Sequence, residues 1–290
     1  MSQKNFLDKI FLNCNAELNH LTLEDYFAEL HASKLSFSEF MHLLLETTLW
    51  KNMDYPGNPY RDLCLSISKE VELFNSNLLK QPAFHSIEHF TDVCFAISLL
   101  ISYSPLIQNT DHSSAWMTSK EESWVLLFCA ISHDYGHDGT MNKTAYELEL
   151  GSINLIRVFL EKRELPAEFL VSLVDKIQYI IKSTDPRFYS ILYEKISTEN
   201  ANNFSKNNYL SMLLIEADLM ASILPERGVL LGQKLSDEWK DQNIEASNAV
   251  KTNAGRLGFL NYIKFLSPQA SLIGLDKIHK ISKEKIVKEL

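Results

Sequence analysis

The sequence predicts an all-α fold, a compact multi-helix bundle. Apolar residues recur at helical spacing in most segments, serine- or threonine-led capping patterns precede several of them, and strand-like alternation hardly occurs. Only 9 glycines and 8 prolines interrupt the 290 residues, and 46% of the chain is hydrophobic, enough for one large core.

Taken in order, Thr22-Leu-Glu-Asp25 and Ser36-Phe-Ser-Glu39 read as N-terminal caps, the second with the full Ser-x-x-Glu pattern. Each precedes an amphipathic run, Leu23 to Ala32 and Phe37 to Trp50. The turn-rich stretch from Asn52 to Pro59 breaks the chain. Helical periodicity resumes from Leu63 to Lys80 and from His85 to Tyr103. Ser104 to Ser119 is polar and is predicted to be an exposed loop. Ser119-Lys-Glu-Glu122 caps a helix whose body, Trp124 to Ile131, is apolar all round, as the middle of a bundle requires. Further helices are predicted at about Ala145 to Arg163, Ala167 to Lys182, Tyr209 to Leu224, Val229 to Glu245 and Leu257 to Leu266. Ser267-Pro268 then opens a last helix. No Gly/Ser linker or repeat divides the chain. Residues 1–290 therefore read as one domain, with 1–80 as an N-terminal accessory layer on a core spanning 81–290.

Charge narrows the function. With 28 basic against 37 acidic residues, a formal net of −9, the chain does not suit a nucleic-acid backbone. No basic amphipathic stretch points to a membrane surface. The longest central apolar run, Val93 to Tyr103, falls short of the ~20 residues that span a bilayer. Asp8 interrupts what a signal peptide would keep apolar, so a cytoplasmic location is expected, with delivery to another cell left open. Cys14, Cys64, Cys94 and Cys129 form no CxxC pair and are expected to be buried reduced thiols.

Histidines carry the chemistry. His85 and His89 stand four residues apart, as do His133 and His137, which on a helix would put each pair on one face. Asp92 would add a carboxylate to the first face, and Asp134 completes a His-Asp dipeptide. The flanking segments are apolar enough to be core, so these polar groups are drawn inward and need partners. A divalent cation satisfies several imidazoles and carboxylates together, and nitrogen and oxygen ligands suit zinc, iron, manganese or magnesium. His20, His31, His42, His112 and His279 lack such company, and surface or capping roles suffice for them. A further ligand is expected from the apolar run Leu210 to Leu224. Its two acids, Glu216 and Asp218, point about 200° apart on a helix. The shorter Asp218 is the better placed, with Glu216 still open.

These residues carry a resemblance. His85-Ser-Ile-Glu-His89-Phe-Thr-Asp92-Val93 resembles the H-N-x-x-H-x-x-D-V signature of class I cyclic nucleotide phosphodiesterases, a branch of the HD-domain superfamily. The segment from His133 to Asn142 is similar to their H-D-x-x-H-P-G-x-x-N motif, and Ala217-Asp218-Leu219 to their A-D-L/I ligand helix, which favours Asp218. Gly258-Phe259-Leu-Asn-Tyr-Ile263, with Pro268 after it, resembles the Q-x-G-F-I-x-x-I stretch. The motifs run in order from Phe84 to Pro268. The resemblance implies a two-metal site. His89, His133, Asp134 and Asp218 would hold the tighter ion, Zn²⁺ in this family. Asp134 would bridge to a second, Mg²⁺ or Mn²⁺. A hydroxide shared by the two cations would attack phosphorus, with His85 as general acid. His137 would lie beside the second metal and the phosphate. Glu149 would orient a metal-held water, with Glu147 as its rival, and Phe259 would stack on the base. The implied partner is a nucleotide or other phosphoester, and a homodimer is allowed.

Four departures bear on substrate choice. Arg256 stands where the family has its purine-reading glutamine, Ser86 replaces asparagine, Phe84 an aromatic tyrosine, and Asp138 a proline. Glutamine both donates and accepts; arginine only donates. Arg256 suits guanine O6 or N7, or a second phosphate or carboxylate, and suits adenine poorly. No ligand is lost, so hydrolysis of a phosphodiester is the reading, most simply a 3′,5′-cyclic nucleotide. A phosphomonoesterase or nucleotidase on the same site and a catalytically silent nucleotide-binding module are the alternatives.

Overall fold

The computed structural model describes residues 3–14, 16–107, 114–199 and 204–290, and among these every regular element is helical. The first group is α1 (Gln3–Leu12), α2 (His20–Ala32), α3 (Phe37–Leu45), α4 (Thr48–Met53) and α5 (Tyr60–Ser76). The centre is α6 (Ile87–Tyr103) and α7 (Lys120–Ser132), followed by α8 (Glu147–Glu161), α9 (Ala167–Lys182) and α10 (Tyr189–Thr198). The chain closes with α11 (Lys206–Met220), α12 (Arg227–Trp239), α13 (Ile244–Lys251), α14 (Asn253–Tyr262), α15 (Pro268–Ile273) and α16 (Leu275–Glu289).

Three helices without a solvent face set the frame. Every residue of α6 from His89 to Tyr103 is buried, as is every residue of α7 from Ser123 to Ser132. In α11 the buried run goes from Asn208 to Ala217 and resumes at Leu219. α6, α7 and α11 pack on one another, α1 and α3 on α6, and α5 on α7. By length and composition Ile87–Leu106 could cross a membrane, but 89% of that window is buried inside the protein, so its apolarity is spent on packing.

Caps place several boundaries. Ser36 and Ser119 each form the reciprocal box with the glutamate three residues on, and Ser267 caps α15 ahead of Pro268. Other boundaries depart from the sequence reading. α2 begins a turn early because Asn19, not Thr22, is its N-cap, with Asn19 Oδ1 accepting from the Thr22 N–H. The Phe37 to Trp50 run is two helices, parted where Thr47 turns extended (φ −66°, ψ 156°). α5 stops at Ser76, leaving Leu79 fully in solvent. The expected exposed loop is partly covered: Trp116 is buried and its carbonyl accepts from Gln269; the predicted loop positions 108–113 lie outside the described residues. The predicted last helix divides at Gly274, whose φ of +94° favours glycine. α1, α10 and α13 were not anticipated. Cys14, Cys64, Cys94 and Cys129 are buried and free.

Candidate active site

The ends of the three central helices meet at one point. His89 lies in the first turns of α6, His133 caps the C-terminus of α7, and Asp218 lies near the end of α11. His85 precedes α6, and residues 133–136 form a turn in which Gly136 has φ +91°. The expectation that each histidine pair shares a helix face is therefore wrong. The pairs split, His89 with His133 and His85 with His137, and tertiary packing rather than helical spacing gathers them.

His89 Nε2 and His133 Nε2 are 3.3 Å apart. Asp134 Oδ2 is 3.3 Å from the first and 3.1 Å from the second, and Asp218 Oδ1 is 3.2 Å and 3.7 Å from them. His133 Nδ1 bonds the Ala130 carbonyl at 3.1 Å, so Nε2 turns its lone pair inward. Two imidazole nitrogens and two carboxylate oxygens thus converge. Ligands about 2.0–2.2 Å from one tetrahedral cation stand roughly 3.3–3.6 Å apart. Five of the six pairs stand at 3.1–3.7 Å, and His89, His133 and Asp218 form the set whose ligand atoms all lie within 4.8 Å of one another, with Asp134 beside both imidazoles. Burial alone would lower the His89 imidazole, but bonds to Asp134 and Asp218 outweigh it and lift it to about 9. Burial would raise both carboxyls, but the His133 and His89 imidazoles hold them below the carboxylate range. Protons stand in for positive charge here, which is the electrostatics of a cation site.

Beside this set, His85 Nδ1 bonds Glu238 Oε1 at 2.5 Å, and the Phe84 and His85 N–H groups donate to Oε2 at 2.8 and 3.1 Å. Burial would raise the Glu238 carboxyl, but the His85 imidazole draws it down to about 2. His85 Nε2 faces Asp134 Oδ2 at 4.0 Å. The His85 and His137 rings stack, centroids 3.6 Å apart. Burial, reinforced by His85, pushes His137 down to about 4, and its Nδ1 accepts from the Gly139 N–H. His137 is therefore neutral near pH 7 with its proton on Nε2. The ligand atoms of His85, His137 and Glu238 also lie within 4.8 Å of one another, and Glu238 already accepts from three donors. His85 and Glu238 form a hydrogen-bonded brace on which the His137 ring stacks.

His133, Asp134, His137 and Asp218 open on a cavity of about 430 Å³ that His85, Glu149, Arg256 and Phe259 also line. Glu149 is buried, accepts from Asn142 Nδ2, and is pushed up to about 7 by burial. Glu147 is exposed and bonds the Lys143 and Thr144 N–H groups, so Glu149 is the carboxylate at the cavity. Glu216 turns away and receives the Leu266 and Ser267 N–H groups ahead of α15, while Asp218 faces the two imidazoles.

Asp92 does not join the site. It pairs with Arg227 and, at 2.6 Å, with His31, which therefore has a partly buried structural role rather than a surface one. His279 is likewise buried and bonds the Leu260 carbonyl. Glu238 was missed from sequence. No local pattern marks a carboxylate whose partner lies 153 residues away.

The fold has counterparts among solved structures. The chain superimposes on LmjPDEB1, solved in complex with IBMX, with a TM-score of 0.57 and 13% identity over 87% of this chain and 92% of that one. It also matches the phosphodiesterase domain of the RhoPDE fusion protein from the choanoflagellate Salpingoeca rosetta, TM-score 0.55 and 20% identity, covering 86% and 96%. The chain has the all-α fold of phosphodiesterase catalytic domains. No protein-family model and no curated sequence matches it.

Proposed function

We propose that this protein is a metal-dependent phosphodiesterase that opens a 3′,5′-cyclic nucleotide to the 5′-monophosphate. The observation that carries the proposal is the convergence of His89, His133, Asp134 and Asp218, the last three lining the cavity, with Asp134 Oδ2 4.0 Å from the braced His85 imidazole. His89, His133, Asp134 and Asp218 would hold the tighter ion, zinc by their ligand types, and Asp134 would reach a second, magnesium or manganese. Divalent ions at such a site polarise a phosphoryl oxygen and lower the pKa of an attacking water.

The remaining groups position the substrate and move a proton. Glu238 holds the His85 Nδ1–H, so a proton on Nε2 faces the cavity and can pass to the departing ribose oxygen. Neutral His137 offers Nε2–H to a phosphoryl oxygen without competing as a ligand. Glu149, held by Asn142, accepts a hydrogen bond from water and so orients it. The exposed edge of Phe259 gives the base a face to stack on.

The test is turnover of cyclic GMP, cyclic AMP, an aryl phosphodiester and an aryl phosphomonoester with added Mn²⁺ or Mg²⁺. Cleavage of a cyclic nucleotide supports the proposal. Cleavage of the monoester alone would make the protein a phosphomonoesterase, and no turnover with retained nucleotide binding would make it a silent binding module.

A further inference from the structure

Arg256 is the least expected group in the cavity. Its residue is only 8% exposed, yet among the described residues no carboxylate, carbonyl or hydroxyl accepts from its guanidinium. Its unpartnered nitrogens are not sealed in the core, and Glu289 and Glu226 act on it only through space, so its donors stay available to a ligand in the cavity. The other arginine lining the cavity, Arg187, is spent on Asp185 and the Thr144 carbonyl. Of the two lining arginines, Arg256 is the one whose guanidinium bonds to nothing among the described residues.

The fold makes room for it. Gly228 and Gly232 lie one turn apart on α12, and a Cβ on Gly228 would stand 3.0 Å from Arg256 Nη2. A Cβ on Gly232 would touch the Arg256 Cδ. The side chain therefore lies along a side-chain-free groove of α12. Arg256 and Phe259 are three residues apart on α14 and share one helix face. Leu231, Leu235, Val250 and Leu260 supply the adjoining cavity lining.

We infer that Arg256 and the Gly228–Gly232 groove form a recognition site for a 6-oxopurine, so that the protein selects guanine over adenine nucleotides. The inference rests on the nucleotide reading above. A planar base on Phe259 presents O6 and N7 as two adjacent acceptors, which match the guanidinium fork. Adenine places its exocyclic amine there, donor against donor. A phosphate would be poorly served, since one arginine among leucines leaves most of its oxygens without partners.

The experiment titrates the Mn²⁺-loaded full chain with GMP, IMP, AMP and the adenosine and guanosine 3′,5′-bisphosphates, with turnover of cyclic GMP and cyclic AMP followed in the same preparation. GMP and IMP should bind at least about tenfold more tightly than AMP, because IMP keeps O6 and N7 but lacks the 2-amino group. Arg256→Gln should collapse that difference to within about threefold. The wild-type comparison stands by itself should the variant not fold. Equal binding of GMP and AMP, or base-independent preference for the bisphosphates, would overturn the inference while leaving the nucleotide reading intact. If no nucleotide binds, the nucleotide reading fails and this inference falls with it. If the preference is seen without turnover, the inference holds and the hydrolytic proposal fails.

Discussion

His85 Nδ1 and Glu238 Oε1 are 2.5 Å apart across 153 residues of sequence, and Glu238 also takes the backbone N–H of His85 itself. The carboxylate thereby fixes both the ring and the turn that carries it. Glycine at 139, with φ +84°, leaves room for this carboxylate: a Cβ there would stand 2.9 Å from Glu238 Cγ.

Glu238→Gln should test that brace in two ways. With His85 no longer held by a charged partner, kcat should fall by roughly 10–100-fold with little change in KM, and its pH profile should shift. The carboxyl sits near 2 in the folded chain against 4.5 ordinarily, so it adds stability above pH 4.5 that is lost as pH falls toward 2. Chemical denaturation between pH 5 and pH 2 should lose about 2–3 kcal/mol less in the variant.

His85→Ala should separate proton transfer from metal binding. The imidazole lies outside the four-atom set, so metal content should stay at the wild-type level while turnover slows by roughly 10²–10⁴-fold. Metal analysis beside steady-state kinetics checks this. Loss of metal in step with activity would show that His85 is a ligand.

Glu149 has the opposite sign to Glu238. Burial raises its folded value to about 7, so the folded chain holds a proton there that the unfolded chain releases near 4.5. Its contribution is present below pH 4.5 and is lost as pH rises through 7. In metal-free protein, Glu149→Gln should remove about 2–3 kcal/mol of that decline, read as the difference in denaturation free energy between pH 4.5 and pH 8. An unchanged slope would place Glu149 in water.

Arg227→Met should destabilise the fold by about 3–5 kcal/mol, because Asp92 would keep its burial and lose its guanidinium partner, with only His31 left beside it. Asp92→Asn added to Arg227→Met should recover part of that loss. Urea unfolding of the single and double variants measures the coupling.

Much of this was readable in the chain because it is local. Ser36, Ser119 and Ser267 mark helix starts through bonds made within three residues, and the apolar bodies of α6 and α7 mark the bundle centre whatever surrounds them. His89, His133, Asp134 and Asp218 were singled out from motif and burial together, and the fold does bring them to one place. Direction was not readable. α6 is buried all round, so spacing alone could not tell that Asp92 faces α2 and α12 while His89 faces α7 and α11. Glu238 and the open donors of Arg256 depend on contacts between distant segments, and sequence proximity carries no trace of either.

The central claim is that α6, α7 and α11 bring their ends together to hold a divalent ion. It is tested most directly by metal analysis of the wild-type chain and of Asp218→Ala, each equilibrated with Zn²⁺ and Mn²⁺ and then desalted. The wild type should retain at least one ion per chain, and Asp218→Ala should lose the tighter one while staying helical. A folded wild type that retains no divalent ion, or a variant that retains as much as the wild type, would contradict the account.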